Sequence, residues 1–162
     1  MRGRVTLVNS LSVEMLKSKY ASVEHPTILI DGIALDIYLH SLYPNDLYLG
    51  IIPTITDWID LKDEAKFVLS RFQSNHERVI LPILMCPDDC DLTCTVIVAE
   101  VINRDNEVVW CRIGVDASKL GIPYNYERIG TDVNWLELVP EMIFDKTSYF
   151  ENMKHVYRPI NE

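Results

Sequence analysis

Cys94-Thr-Val-Ile-Val-Ala-Glu-Val-Ile-Asn103, Arg104-Asp-Asn-Glu107 and Val108-Val-Trp-Cys-Arg-Ile-Gly-Val115 together decide the fold. Two runs rich in β-branched residues flank four polar ones, which is the pattern of an antiparallel hairpin. Asp105-Asn106 at the centre suits a tight turn, because both residues tolerate positive φ. With those two as the turn, Glu100 faces Cys111 and Ala99 faces Arg112. Both faces of each run are largely apolar, so the hairpin should lie inside a sheet covered by helices.

Upstream, Val79–Met85 is another mostly apolar run and reads as a buried strand, with Pro82 marking an edge or a bulge. Before it, Leu61, Ala65, Val68, Leu69 and Phe72 share one helical stripe, with Asp60 or Asp63 as the cap. Residues 45–60 are loop-like. Ala34, Ile37, Tyr38, Ser41 and Leu42 form a helical face that stops at Pro44. Thr27–Ile30 reads as a strand ending at Asp31-Gly32. Arg4–Val8 reads as a strand, and Ser12 could cap a helix over Val13–Tyr20 with Glu14 in its first turn. Downstream, residues 117–131 are loop, Val133–Val139 is a short helix ending at Pro140, and Asp145 caps a last helix over Lys146–His155. The expected fold is α+β: one globular domain over residues 1–162, with a mixed, largely antiparallel central sheet flanked by helices.

The totals narrow the function. Against 15 basic side chains stand 24 acidic ones, for a net charge of -9. Nucleic-acid binders need a basic face to neutralise phosphates, so DNA and RNA are not expected partners. A strong negative field speeds encounter with a basic protein, and also serves solubility alone. The start of the chain has too short an apolar centre for a signal peptide, and no run approaches a membrane span. No Asn-x-Ser/Thr acceptor occurs. These features point to a soluble cytoplasmic protein with its cysteines as thiols.

Chemistry-bearing candidates are few. Cys86-Pro-Asp-Asp-Cys90-Asp-Leu-Thr-Cys94 packs three thiols and three carboxylates into nine residues. Structural zinc needs four converging ligands, commonly from paired knuckles. A second knuckle is missing here, although Cys111 or His76 could complete a set in space. The plainer reading makes Cys86 and Cys94 small buried strand-end residues and Cys111 core. His25, His40, His76 and His155 belong to no Cys/His signature and read as surface histidines. The glycines are too dispersed for a phosphate loop, and neither a zinc-protease nor a nucleophile-elbow motif is present. Glu100 is the best lone carboxylate. Buried, it could act as a general acid; paired with Arg112, it would be structural. No cofactor is expected.

The acidic loops are better candidates as a surface. Asp88, Asp89 and Asp91 lie between two strands, while Asp46, Asp57 and Asp60 surround the loop that holds Trp58. An aromatic anchor with a charged rim suits a protein interface.

Four stretches resemble the small cytosolic immunity proteins of bacterial polymorphic and contact-dependent toxin systems. They are Ile30-Asp-Gly-Ile-Ala-Leu-Asp-Ile-Tyr-Leu39, the Pro53-to-Trp58 segment, Leu81-Pro-Ile-Leu-Met-Cys-Pro-Asp-Asp-Cys-Asp91 and Trp110-Cys-Arg-Ile-Gly-Val-Asp116, spread over residues 27–145. The resemblance implies a non-enzymatic protein that binds a cognate toxin domain, often a basic nuclease, in a 1:1 complex. Asp88, Asp89, Asp91, Asp57, Asp60 and Trp58 are then the expected contact residues. A zinc- or thiol-dependent enzyme built on Cys86, Cys90, Cys94 and Glu100 is the alternative, and a self-pairing scaffold is a third.

Overall fold

A long three-strand meander forms the centre of the molecule. The computed structural model describes residues 8–160. Its elements run β1 (Leu11–Leu16), β2 (His25–Ile30), β3 (Ile33–Ala34), α1 (Leu35–Leu42), β4 (Ile52–Pro53), α2 (Lys62–Gln73), β5 (Arg78–Met85), β6 (Val96–Asn103), β7 (Glu107–Asp116), β8 (Val133–Trp135), β9 (Met142–Asp145) and α3 (Lys146–Met153), with a 3-10 turn at Tyr126–Arg128. The fold is α+β, as expected. Among the described residues two sheets form, β1-β2-β3 and a six-stranded sheet ordered β4-β5-β6-β7-β8 with β9 also on β7. Every pairing among the described residues is antiparallel. No helix there is long and apolar enough to cross a membrane.

The hairpin and the run before it form as expected. Seven of the eight β5 residues are buried, which is why that strand reads as continuous apolar sequence rather than as alternation. Pro82 sits at a register shift between Pro82 and Leu84, the place where a missing N–H costs the ladder least. In the hairpin, Asn103 pairs with Val108 and Val101 with Trp110, but a bulge then shifts the register and puts Glu100 opposite Arg112. The expected Glu100–Cys111 pairing is thereby corrected, and Ala99 meets Ile113. Asp105 and Asn106 make the turn without positive φ. Positive φ appears instead at Asp31 (51°) and Gly32 (83°), the two central residues of the β2–β3 turn. Asp31 also accepts hydrogen bonds from the Ser10 N–H and the Asn9 amide, each at 2.8 Å.

Several expectations change. The strand expected over Arg4–Val8 lies outside the described residues except for Val8, which belongs to no element. Val13–Tyr20 is not helical: Leu11–Leu16 pairs with all six residues of β2. A ladder of that length outweighs helix propensity differences of a few tenths of a kcal/mol per residue. Val133–Trp135 is a strand on Gly114–Asp116, and Met142–Asp145 is a further strand on Glu107–Trp110. These two short strands share the free edge of β7. In α1 the buried residues are Leu35, Asp36 and Leu39, not the expected face, and Ile37 is half exposed. Leu61 caps α2 without a side-chain bond, so neither Asp60 nor Asp63 does so. Asp145 does cap α3, its Oδ2 accepting from the Ser148 N–H at 2.9 Å.

The segment after α3 returns to the core. Tyr157 and Thr54 both donate to the Pro82 carbonyl, at 3.1 and 2.7 Å. Thr56 accepts from the Arg158 N–H at 2.8 Å. Residues near 55 and near 157 are thus joined, which seats the loop before α2.

Candidate functional site

The β5–β6 connection, residues 86–94, is held in one shape by its own polar groups. The Cys90 N–H donates to the Cys86 carbonyl at 3.0 Å, and Cys90 takes φ 48°, a conformation uncommon for residues other than Gly, Asn and Asp. Asp91 Oδ1 accepts from the Thr93 N–H, the Thr93 hydroxyl and the Cys94 N–H at 2.9–3.2 Å. Asp91 is therefore spent on organising the loop. Asp88 and Asp89 project at its tip and are exposed.

Two contacts bring this loop to the start of α2. The Asp60 N–H donates to the Cys90 carbonyl at 3.0 Å, and the Leu92 N–H donates to Glu64 Oε1 at 2.7 Å. Glu64 is fully buried. Its other oxygen, Oε2, accepts from the Tyr126 hydroxyl at 2.6 Å. One carboxyl thus ties the 86–94 loop, α2 and the 3-10 turn together. Burial, together with this hydrogen bond, pushes the Tyr126 phenol well above its ordinary pKa. Burial also raises the Cys90 thiol, helped by the surrounding charges of Asp60, Asp89, Asp91 and Asp88. The Asp60–Cys90 backbone bond thus sets Asp60 beside the loop that carries Asp88, Asp89 and Asp91.

An apolar border lies beside them. Leu61, Lys62, Asp63, Tyr124 and Tyr126 line an open groove. Leu61 is 51% exposed, Tyr124 58% and Ile122 fully exposed. Tyr126 is fixed by its bond to Glu64 and by the Phe67 ring, 6.0 Å away between centroids. The sequence reading missed Leu61, Ile122 and Tyr124 as surface residues. The signal was present in Ile122-Pro-Tyr-Asn-Tyr126, an aromatic pair in a loop.

The remaining expected contact residues, Asp57 and Trp58, have partners of their own. Asp57 lies 3.6 Å from Arg158 as a half-exposed ion pair. Trp58 is half-buried and packs edge-on to His25 at 5.7 Å. Asp46 is exposed on the turn after α1. Of the proposed set, Asp60, Asp88, Asp89 and Asp91 are brought together.

The cysteines divide into a pair and a single. Cys86 and Cys94 sulfurs lie 2.8 Å apart, whereas the Cys90 thiol turns to the Pro87 carbonyl at 3.2 Å. The three do not converge, and among the described residues no group of three or more His, Cys, Asp or Glu could hold a metal. Cys94 is exposed and Cys86 and Cys111 are half-buried, which corrects their reading as core residues. The Cys90, Cys94 and Cys111 thiols are all raised, the reverse of an activated thiolate. His25 is buried rather than superficial, with its ring nitrogens 2.9 Å from the Pro26 carbonyl and 3.0 Å from the Ser18 hydroxyl. His40 is half-buried, and His76 and His155 are exposed.

Glu100 is the hub of an ion-pair triad. Arg78 reaches it at 2.7 Å and Arg112 at 3.1 Å, and the Arg112 guanidinium stacks 4.0 Å over the Trp135 ring. Burial alone would push the Glu100 carboxyl up. The hydrogen bonds and charges of Arg112 and Arg78 outweigh it and hold the carboxyl below its ordinary range. The geometry therefore supports the structural pairing over the general acid. A depressed folded-state pKa contributes stability above the unfolded value of about 4.3, and that stability is lost as pH falls through the folded value. Glu100→Gln is expected to destabilise at pH 7. The deficit should shrink as pH falls below about 4. Urea unfolding at both pH values checks this, and an equal deficit at both contradicts it.

In comparisons with known proteins, no protein-family model, no curated protein and no solved structure matches this chain.

Proposed function

We propose that this chain is a non-enzymatic immunity protein, whose acidic, apolar-bordered face neutralises a cognate basic toxin domain such as a nuclease. The observation that carries the reading is the gathering of Asp60, Asp88 and Asp89, from two separated segments, beside the exposed Leu61 and Tyr124 of the neighbouring groove. Like charges on one face repel one another, and a cationic partner relieves that repulsion. The apolar rim supplies what charge alone does not, since buried aromatic and aliphatic anchors carry most interface energy. The net charge of -9 adds long-range attraction to the same partner.

The raised Cys90, Cys94 and Cys111 thiols and the arginine-paired state of Glu100 support a binding role over a thiol-dependent enzyme. The resemblance of the stretches around Leu39, Trp58, Asp91 and Asp116 points the same way.

Reversing Asp60, Asp88 and Asp89 to Lys should weaken the partner complex by at least about tenfold, or 1.4 kcal/mol. The loss should fall mainly on the association rate at low salt and fade as salt rises. Surface plasmon resonance at two ionic strengths reads both quantities. An unchanged affinity would mean the partner docks elsewhere. Asp91 is left in place, because its oxygen holds the loop.

A further inference from the structure

The ends of the 86–94 loop meet at two thiols. Cys86 follows the last residue of β5, and Cys94 is separated from the first residue of β6 by Thr95 alone. Met85 and Val96 are the last paired residues of the two strands, so the ladder holds both cysteines at the loop's neck. Their sulfurs are 2.8 Å apart, nearer than non-bonded van der Waals contact and less than about 1 Å from the 2.03–2.05 Å of a disulfide. The thiols share a hydrogen bond, and Cys94 is open to solvent while Cys86 is half-covered. Cys90, midway round the loop, points to the Pro87 carbonyl instead, and Cys111 lies on β7 outside this loop.

We propose that Cys86 and Cys94 are a modification site: a dithiol that a small-molecule disulfide of the oxidised-glutathione class closes into an intramolecular disulfide across the neck of the acidic loop. Exposed Cys94 reacts first. Its thiol releases a proton, and the thiolate attacks one sulfur of the oxidant, expelling one small thiolate and leaving a mixed disulfide on Cys94. Cys86 then releases its proton and attacks the Cys94 sulfur, expelling the second small thiolate. The two protons end on the two expelled thiolates. Two cysteine thiols are oxidised by two electrons, and one small disulfide is reduced to two thiols. The hydrogen bond with Cys86 raises the Cys94 thiol, so closure quickens as pH rises toward the thiol range.

Closure adds a covalent tie across the neck of the loop that carries Asp88 and Asp89. Its consequence for binding rests on the reading of this face as the partner surface; formation of the bond does not. Oxidised protein should bind the cognate partner with an affinity differing at least threefold from reduced protein.

The test uses the full chain, reduced and then incubated with oxidised glutathione. Remaining thiols are alkylated and the protein is mapped by mass spectrometry. The expected result is a Cys86–Cys94 cross-linked peptide, an intact mass lower by two hydrogens before alkylation, and alkylated Cys90 and Cys111. Cys86→Ser, checked for folding by circular dichroism, should stop at a glutathione adduct on Cys94. Four alkylated thiols in the native chain, or a cross-link through Cys90 or Cys111, would overturn the site. A mapped disulfide with equal affinity in both redox states would overturn only its regulatory part. Failure to find any basic partner would instead count against the binding face and leave the thiol result standing.

Discussion

Trp110→Ala should lower the unfolding free energy by about 4 kcal/mol, within the 3–5 kcal/mol typical of large aromatic truncations in cores. Trp110 is fully enclosed on β7. Its indole meets Phe144 edge-on at 5.2 Å and Tyr149 edge-on at 6.2 Å between centroids. These two rings come from β9 and α3, so one side chain joins the central meander to the C-terminal unit. The indole N–H also donates to the Tyr149 hydroxyl at 3.2 Å, and Tyr149 is itself buried. Alanine leaves a cavity and removes that hydroxyl's donor, two costs that add. Trp110→Phe keeps most of the ring packing and should cost roughly half as much. Chemical denaturation of both variants gives the comparison. A loss below about 1 kcal/mol for the alanine variant would mean that the β7–β9–α3 junction is not where stability resides.

Glu64→Ala should cost about 3 kcal/mol and should also impair partner binding. The carboxyl is fully buried and accepts from a backbone N–H and a phenol. Alanine strands both donors inside the protein, and hydrogen bonds to charged groups contribute roughly 1.5–3 kcal/mol each. The stranded donors belong to Leu92 and Tyr126, which anchor the acidic loop and the 3-10 turn next to the Tyr124 border. Both borders of the proposed face therefore loosen together. Glu64→Gln separates shape from charge. Its amide oxygen can accept from Leu92 and its NH2 can donate to the Tyr126 oxygen, so it should retain more than half of the stability and most of the binding. Denaturation paired with a binding titration reads both effects. A Glu64→Ala variant that stays folded and binds like the native chain would sink the idea that this carboxyl assembles the face.

The legible parts of the fold were those whose signal is local. β5, β6 and β7 are buried on both faces and appear as apolar runs; Asp145 is a cap within its own turn. β1 was not legible, because Ser12-Val-Glu-Met-Leu16 carries a helix-start pattern and only pairing with β2, nine to nineteen residues away by register, makes it a strand. β8 and β9 are three and four residues long and exist because the long β7 leaves an edge to cover. The hairpin register was legible as far as Trp110 and failed at the bulge beside Cys111, a backbone feature with no side-chain signature there.

The candidate site divides in the same way. Clustered aspartates are visible in the sequence, and so is the crowding of Asp88, Asp89 and Asp91. That Asp60 joins them depends on one backbone bond to Cys90. Glu64 reads as an ordinary first-turn helix acid, since its partners lie 28 and 62 residues downstream. Trp58 drew notice as the aromatic in an acidic loop, yet the return of residues 156–158 to Thr56 helps to seat that segment inward. The exposed aromatic of this face is Tyr124.

The most direct test of the binding face is a side-by-side capture from a lysate of the source organism, using the tagged native chain and its Asp60, Asp88 and Asp89 to Lys variant, at low and high salt. Bound proteins are identified by mass spectrometry and quantified against the bait. One stoichiometric basic protein is expected on the native chain, reduced at high salt and lost from the folded variant. A partner held equally by both baits, or capture of only further copies of the chain itself, would contradict it.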